Sequence, residues 1–552
     1  MPAGETVAMD AEAIVVGAGA GGGTLAHALV MAGHRVLLLE RGPRFEPARD
    51  YFGHLPDWEF RDAFASHVPD DDLVTPQRLT AEDRDLASSL LRRQLRDERH
   101  FRYIRACGLG GSTLRYQGEA HRFPAHALRM RSDFGLAVDW PLSAEDLAPY
   151  YDRIEQLLGV AGAAHPAFPR ARPYPNPPHR LCPASALIAA AGRELGIHLA
   201  PNPLAILSRP MVGRPACIRC KQCAFGCMIG DKSSVDVALL PAAERTGRLR
   251  ILTGRIASRV LLGADGRAMG VATIAVERAR RENFHAPVVV LAAGALETPR
   301  LLLLSASREH PQGLLNQHGL VGRYLMENLD AGLLLLFPQR LKSYRGVALD
   351  SRAWDFARPQ ADGCNAYSLA SWGAPDGLIS PASFAVHVAP GVGARHRRFM
   401  ERHYGAHAAI AASAEQLPRA DNRLSLDPQQ RDVYELPKAR VTMTLDARDL
   451  HTLRSMLARC RALAAASGAL ETLGQWTSWD RSAATHFCGG ARMGRTAADS
   501  VVNAHGQSHA IDNLFIADAS VLPTQGCSAS PSLTIQALAL RTADFIARNR
   551  LR

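Results

Sequence analysis

Ala13, Ile14, Val15 and Val16 make a short apolar run that passes directly into the glycine- and alanine-rich residues 17–23. Glycines at 17, 19 and 22 give the pattern G-x-G-x-x-G, residues 24–32 have helical composition, and residues 35–39 read as a second strand closed by Glu40. Strand, glycine turn, helix and second strand ending in an acid make the βαβ unit of a doubly wound sheet. Glycine lets the backbone turn tightly and approach a diphosphate. The opening turn of the helix then presents free N–H groups and the positive end of its dipole to that anion. Glu40 can accept hydrogen bonds from a ribose and disfavours a 2′-phosphate, so NADP is not the expected ligand. The competing reading, a glycine loop without a ligand, leaves the order of the four parts unexplained.

A chain of 552 residues is too long for one ordinary core, so two or more packed regions are expected. Apolar residues at 47% and charged residues at 21% make it globular rather than disordered. The formal charge of +11 is mostly scattered arginine, and no nucleic-acid-binding motif accompanies it. One cluster, Arg395-His396-Arg397-Arg398 with Arg402 and His403, reads as a solvated helix face, with a docking patch as the alternative. The longest apolar stretch, 288–304, is cut by Glu297, Pro299 and Arg300, so no membrane-spanning helix is expected. Acidic residues 5, 10 and 12 precede the first apolar run in place of a basic region, which argues against a secretory signal.

Further along, Cys107-Gly108-Leu109-Gly110-Gly111-Ser112-Thr113 can bring backbone close to a flat or anionic ligand, or can simply be a loop. Residues 143–158 read as a helix capped by Ser143 with Asp146 three positions on, and the proline-rich stretch 166–183 reads as a surface connector. Cys217, Cys220, Cys223 and Cys227 follow the spacing of a ferredoxin-type run, with Met228 in place of the usual proline. Such short loops let thiolates converge on one inorganic centre. An iron–sulfur cluster, a tetrahedral zinc ion and a loop of free thiols are the three readings. Residues 287–291 form a buried-type strand entering the turn at Gly294 and a helix through 301–304. The C-terminal part holds His486 in His486-Phe487-Cys488-Gly489-Gly490-Ala491-Arg492-Met493-Gly494, then a strand at 513–517, Asp518, a loop at 520–532 and a last helix from about 532 to 547.

These motifs, in this order, together with Asn422-Arg423-Leu424-Ser425-Leu426-Asp427-Pro428, resemble the glucose–methanol–choline (GMC) flavoprotein oxidoreductases. The resemblance implies an α/β, doubly wound, Rossmann-like FAD-binding domain plus an α+β substrate domain built on an antiparallel sheet over the isoalloxazine. The FAD-binding parts are expected at 1–123, at 211–329 with the cysteine-rich loop, and at 466–552. The substrate domain is expected at 330–465 with a contribution from 124–210. Cofactor contacts are expected from Gly17, Gly19, Gly22, Glu40, Gly110, Gly111, Ser112, Gly294 and Asp518. The FAD is expected to be non-covalent, because Leu114 and Arg115 follow Ser112-Thr113 where some members carry the attaching histidine.

The resemblance also makes His486 the catalytic base. An alcohol carbon gives up hydride only as its hydroxyl proton leaves, so a base of near-neutral pKa must face that hydroxyl. The second catalytic position, usually His or Asn, is Ser530 here. A hydroxyl can hydrogen-bond the substrate oxygen but is no general base at neutral pH; the plainer reading is a cap on the last helix. Cys217, Cys223 and Cys227 reproduce the C-x5-C-x3-C spacing that holds a [3Fe–4S] cluster in bacterial FAD-dependent glucose and polyol dehydrogenase subunits, leaving Cys220 over. The expected activity is therefore oxidation of an alcohol, sugar or polyol. Electrons would pass through an iron–sulfur cluster to a cytochrome or small electron-transfer subunit, in the cytoplasm or after co-export to the periplasm. An oxidase with structural or zinc-binding cysteines and a non-catalytic flavin carrier are the alternatives.

Overall fold

In the computed structural model, residues 9–51, 73–89, 98–99, 105–480 and 485–551 are described, 98–99 by their backbone alone. The first sheet has five strands in the order Leu514–Ile516, Val288–Leu291, Ala13–Val16, Val36–Leu39 and Leu249–Leu252, and every pairing is parallel. Every residue of Ala13–Val16, Val36–Leu39 and Val288–Leu291 is buried. A parallel sheet covered on both faces requires continuous apolar runs of this kind. Helix Ala20–Met31 makes the crossover between the first two strands, and the last helix, Ser532–Asn549, packs along it.

Helix Ala20–Met31 starts close against the strand ends because it opens on glycine. A Cβ at Gly21 would lie 1.7 Å from the Ala517 carbonyl oxygen, and one at Gly22 would lie 2.0 Å from the Gly17 carbonyl oxygen. Helix Ala144–Leu158, which packs on the last helix, carries the expected capping box: Asp146 N–H donates to Ser143 Oγ at 3.2 Å and Ser143 N–H to Asp146 Oδ2 at 2.9 Å. Of the proline-rich stretch, Pro183 opens helix Pro183–Glu194, a position where no N–H is needed. Helix Gly393–His403, which carries the arginine cluster, buries none of its side chains. No helix among the described residues is long and apolar enough to cross a membrane.

The second sheet is antiparallel, with six strands in the order Glu471–Thr477, Asn328–Leu336, His407–Glu415, Tyr367–Trp372, Ser351–Ala353 and Ala200–Pro201. It passes beyond the 330–465 stretch at both ends, since Asn328–Leu336 begins earlier and Glu471–Thr477 supplies an edge strand. The period of two along a strand divides its residues. Leu329, Ala331, Leu333, Ala408, Ile410, Ala412 and Leu369 face a core closed by Leu453, Met456, Leu457 and Leu463 of helix Ala447–Ala466. The alternate residues Asn328, Asp330, Arg352, Trp372, Ser413 and Trp476 face a cavity between this sheet and the glycine turns of the first. The chain is thus a parallel α/β layer roofed by an antiparallel sheet.

Gly21→Ala is expected to lower stability by about 1–3 kcal/mol through overpacking against the Ala517 carbonyl. Chemical denaturation should show a lower midpoint at unchanged slope.

Candidate active site

The cavity has a volume of about 780 Å³ and is lined by residues from both layers. Its floor is backbone. Gly17 holds φ at +98°, and a Cβ there would lie 2.4 Å from the Ala292 carbonyl oxygen. Gly19 precedes the first helix with no side-chain cap, and the first turn of that helix contains no acidic residue. The unpaired N–H groups of that turn therefore have no anion of their own. Gly111 comes so near that a Cβ on it would lie 2.7 Å from the Gly19 Cα. The two glycine loops thus form one continuous wall, with Ser112 and Thr113 beside it.

Glu40 also lines the cavity. Its Oε2 accepts the Ala18 N–H at 2.9 Å and its Oε1 the Gly42 N–H at 2.8 Å. Burial raises its pKa against these bonds. On the far side, Asp518 Oδ2 accepts from the Gly294 N–H at 2.9 Å and the Thr298 hydroxyl at 2.6 Å, fixing the left-handed turn at Gly294. A glycine floor, an uncapped helix start and a buried acid at the end of the second strand fit FAD. Of the nine expected contacts, Gly17, Gly19, Glu40, Gly111, Ser112, Gly294 and Asp518 line the cavity. Gly22 and Gly110 do not. Gly22 permits close helix–strand packing, and Gly110, at φ +115°, turns the chain so that its N–H reaches the Ala18 carbonyl.

His486 stands at the opposite end. Its backbone N–H donates to Asn328 Oδ1 at 3.3 Å, and its carbonyl accepts from Gln525 Nε2 at 2.8 Å. Among the described residues no group hydrogen-bonds its ring, which opens on the cavity. Burial lowers its pKa from the usual 6.5, partly offset by the charge of Glu119, with Arg352 adding to the fall. Ser530 lines the same cavity but does not cap the last helix. Pro531 holds the cap position without a side-chain bond, and the Ser530 hydroxyl donates to Glu119 Oε2 at 2.7 Å.

Glu119 is the hub of this end. Its Oε1 accepts from Arg352 Nη2 at 2.5 Å and from Asn202 Nδ2 at 2.8 Å. Burial opposes its charge, but Arg352, His121 and the Ser530 hydroxyl hold its pKa well below the usual carboxylate range. Asp330, by contrast, has only the Ser413 hydroxyl at 2.6 Å and the Asn328 amide at 2.5 Å, and burial pushes it up to about 6. Glu119, Arg352 and Asn202 were not singled out in the sequence. The one local hint is the order Glu119-Ala120-His121-Arg122 soon after the second glycine loop; the contacts themselves span 233 and 83 positions.

The four cysteines differ in their surroundings, and Cys217 packs against the same apolar cluster as Cys223. Cys223 is buried in a small apolar cluster with Leu204, Ile206, Val347 and Ala348. Cys220 is exposed between Arg219 and Lys221, both in left-handed backbone, and the Cys227 thiol donates to Asp231 at 2.8 Å. Burial pushes Cys223 up to about 12 and Cys227 up to about 11, so as they stand these are protonated thiols. Among the described residues, the one group of three whose ligand atoms lie within 4.8 Å of one another is Asp362, Cys364 and His451. As the side chains stand, no three of the four thiols lie within 4.8 Å of one another. The run does abut the cavity, because Ala224 and Phe225 line it. The buried Lys232 ammonium donates to the carbonyls of Cys223 at 2.7 Å, Leu114 at 2.8 Å and Tyr116 at 3.1 Å, tying the run to that wall.

Two family models, both described as GMC oxidoreductase, match residues 10–329 and 418–539. The 2-methyl-1,2-propanediol dehydrogenase of Mycolicibacterium austroafricanum is 31% identical across 98% of this chain and 96% of its own length. The fructose dehydrogenase large subunit of Gluconobacter japonicus is 26% identical across 98% of each. Among solved structures, pyridoxine 4-oxidase from Mesorbium loti superposes with a TM-score of 0.64 at 20% identity, over 98% of this chain and all of that one. That likeness concerns the fold.

Arg352→Met leaves the Glu119 charge buried without its partner and is expected to cost about 3–5 kcal/mol at neutral pH. Adding Glu119→Gln to the same chain should recover part of the loss in a denaturation midpoint.

Proposed function

The chain belongs to the GMC oxidoreductase family, and from that premise we propose that it oxidises the CH–OH group of an alcohol, sugar or polyol with non-covalent FAD, His486 serving as the base. Membership makes it an FAD-dependent oxidoreductase acting on CH–OH donors. The assignment of roles to residues is our reading. The observation that carries it is the His486 ring, free of hydrogen bonds among the described residues and open to the same cavity as the glycine cradle.

The amides at 17–19 and the opening helix turn would hold the diphosphate, Glu40 the ribose hydroxyls, and Gly111, Ser112 and Asp518 the remaining backbone contacts. FAD supplies a two-electron acceptor for the hydride of the CH–OH carbon. The protein supplies the rest. A pKa below 6.5 makes the His486 imidazole a free base at neutral pH, ready to take the hydroxyl proton at hydrogen-bond distance. Asn328 and Gln525 fix the backbone on which the ring turns. The sheet above roofs the cavity and would present Asp330, Ser413 and Trp372 to the substrate.

For the cysteine run we propose an iron–sulfur cluster held by Cys217, Cys223 and Cys227, which would supply one-electron transfer toward a cytochrome or small electron-transfer subunit. Two things support this: the run forms part of the cavity wall through Ala224 and Phe225, and one relative is the large subunit of a fructose dehydrogenase. A relative named as an oxidase, the 6'''-hydroxyparomomycin C oxidase of Streptomyces lividus at 30% identity, favours the second reading, in which these thiols are structural.

His486→Ala is expected to keep its FAD and lose about 10²–10⁴-fold in the rate of flavin bleaching by an alcohol under anaerobic conditions. An unchanged rate refutes the role. In the unaltered enzyme, kcat/KM should be level at pH 7 and above and fall toward acid with an apparent pKa under 6.5, because only the neutral imidazole accepts a proton. Iron and sulfide measured on anaerobically purified protein decide the cluster: stoichiometric amounts are expected, and their absence leaves the oxidase reading.

A further inference from the structure

Every hydrogen in the network around Ser530 can be placed. Arg352 Nη2 and Asn202 Nδ2 both donate to Glu119 Oε1, and the Ser530 Oγ lies 2.7 Å from Glu119 Oε2. Burial alone would favour a protonated Glu119, but Arg352 and the Ser530 hydroxyl outweigh it and keep the carboxylate ionised. An ionised carboxylate only accepts, so the single hydroxyl proton of Ser530 must point at it. The surroundings close the remaining options. The Ser530 N–H donates to His121 Nδ1 at 3.0 Å, and His121 Nε2 meets Asn202 Oδ1, an acceptor, at 2.7 Å. His121 is therefore the neutral Nε2–H tautomer. The charged and titratable groups that act on His486 here are Glu119, Arg352 and His121.

The consequence is a change of polarity at the second catalytic position. A serine free to rotate could donate to a substrate oxygen. Locked onto Glu119, Ser530 offers the cavity lone pairs only. A substrate hydroxyl has one proton, and His486 takes it. We propose that Glu119 is a positioning residue that fixes Ser530 as an obligate acceptor, so that the site selects substrates bearing a second hydroxyl donor beside the reacting carbon, that is, vicinal diols and polyols. This rests on His486 being the base. A substrate with one hydroxyl leaves the buried Ser530 oxygen unpaired, and sites built around a substrate hydroxyl reject analogues that lack it.

The test uses three substrates of matched size: a vicinal diol, its monomethyl ether at the non-reacting oxygen, and the simple alcohol. The ether keeps an oxygen that can accept a hydrogen bond but has no proton to donate. In the unaltered holoenzyme, kcat/KM for the diol should exceed that for both the ether and the alcohol by about 10–100-fold. Equal values for diol and ether overturn the proposal. In Ser530→Ala the diol-to-ether ratio should collapse to within about twofold, because the acceptor is gone. In Glu119→Gln the new amide can donate to Ser530, which frees its hydroxyl to donate, so the ether should gain on the diol. A loss of rate that left the ratio unchanged in both variants would make the network merely structural and sink the proposal. Should Glu119→Gln fail to fold for want of a partner to Arg352, Ser530→Ala decides alone. Turnover that survives His486→Ala for all three substrates defeats the base assignment instead, so the two failures are told apart.

Discussion

The whole arrangement depends on backbone meeting backbone where no Cβ intervenes. At Gly17, Gly21 and Gly22 an added Cβ would lie 2.4, 1.7 and 2.0 Å from carbonyl oxygens of Ala292, Ala517 and Gly17. Two of these contacts reach strand ends far off in the chain: Ala292 follows strand Val288–Leu291 and Ala517 follows strand Leu514–Ile516. The glycines therefore do two things at once. They let strands from across the chain close into one layer, and they leave amide groups at the layer's edge with nothing covering them. The second effect makes the edge a place for a diphosphate, and it follows from the first without further machinery.

Opposite that floor, two buried carboxylates show how surroundings set the role of a side chain. Glu119 and Asp330 are both acids on the cavity wall. Arg352 and Asn202 donate to the first, which stays ionised and accepts only. The second has a hydroxyl and an amide but no cation, so burial raises it to about 6. Near neutral pH Glu119 is a fixed charge. Asp330 titrates close to the working range and can change from acceptor to donor. The antiparallel sheet brings both within one cavity because its strands alternate: leucine and alanine turn to the helix behind, and polar residues turn to the cavity in front.

Local order was plain in the sequence, and distant pairing was not. The βαβ unit, the Ser143 capping box and the buried strand at 288–291 are each written in a few consecutive residues, and all three stand as expected. His486 could be placed from its motif. Ser530 could not be understood locally: its neighbours suggest a helix cap, whereas its partner is Glu119, 411 positions away. The cysteine spacing shows a similar limit. It fixes how far apart the thiols sit along the chain, but apolar neighbours hold Cys223 inward while left-handed turns at Arg219 and Lys221 leave Cys220 exposed.

The cysteine run is nevertheless part of the cavity wall, and its two lysines explain why. Lys232 is buried, and its ammonium is shared among three carbonyls, two of them beside the second glycine loop. Lys221 is buried as deeply, has no hydrogen-bond partner for its ammonium among the described residues, and acts electrostatically on Asp350 and Asp376. Asp350 holds the start of helix Pro183–Glu194 through the Cys182 N–H and the Ser185 hydroxyl, and Asp376 lines the cavity. One segment thus places a cation against a structural acid and a cavity acid together, and clamps itself to the glycine loop at its other end. Whatever its thiols carry, the run is anchored from both sides by charge in a low-dielectric setting. A change in the charge of those thiols would be felt at Lys232 and, through the carbonyls it holds, along the cavity wall.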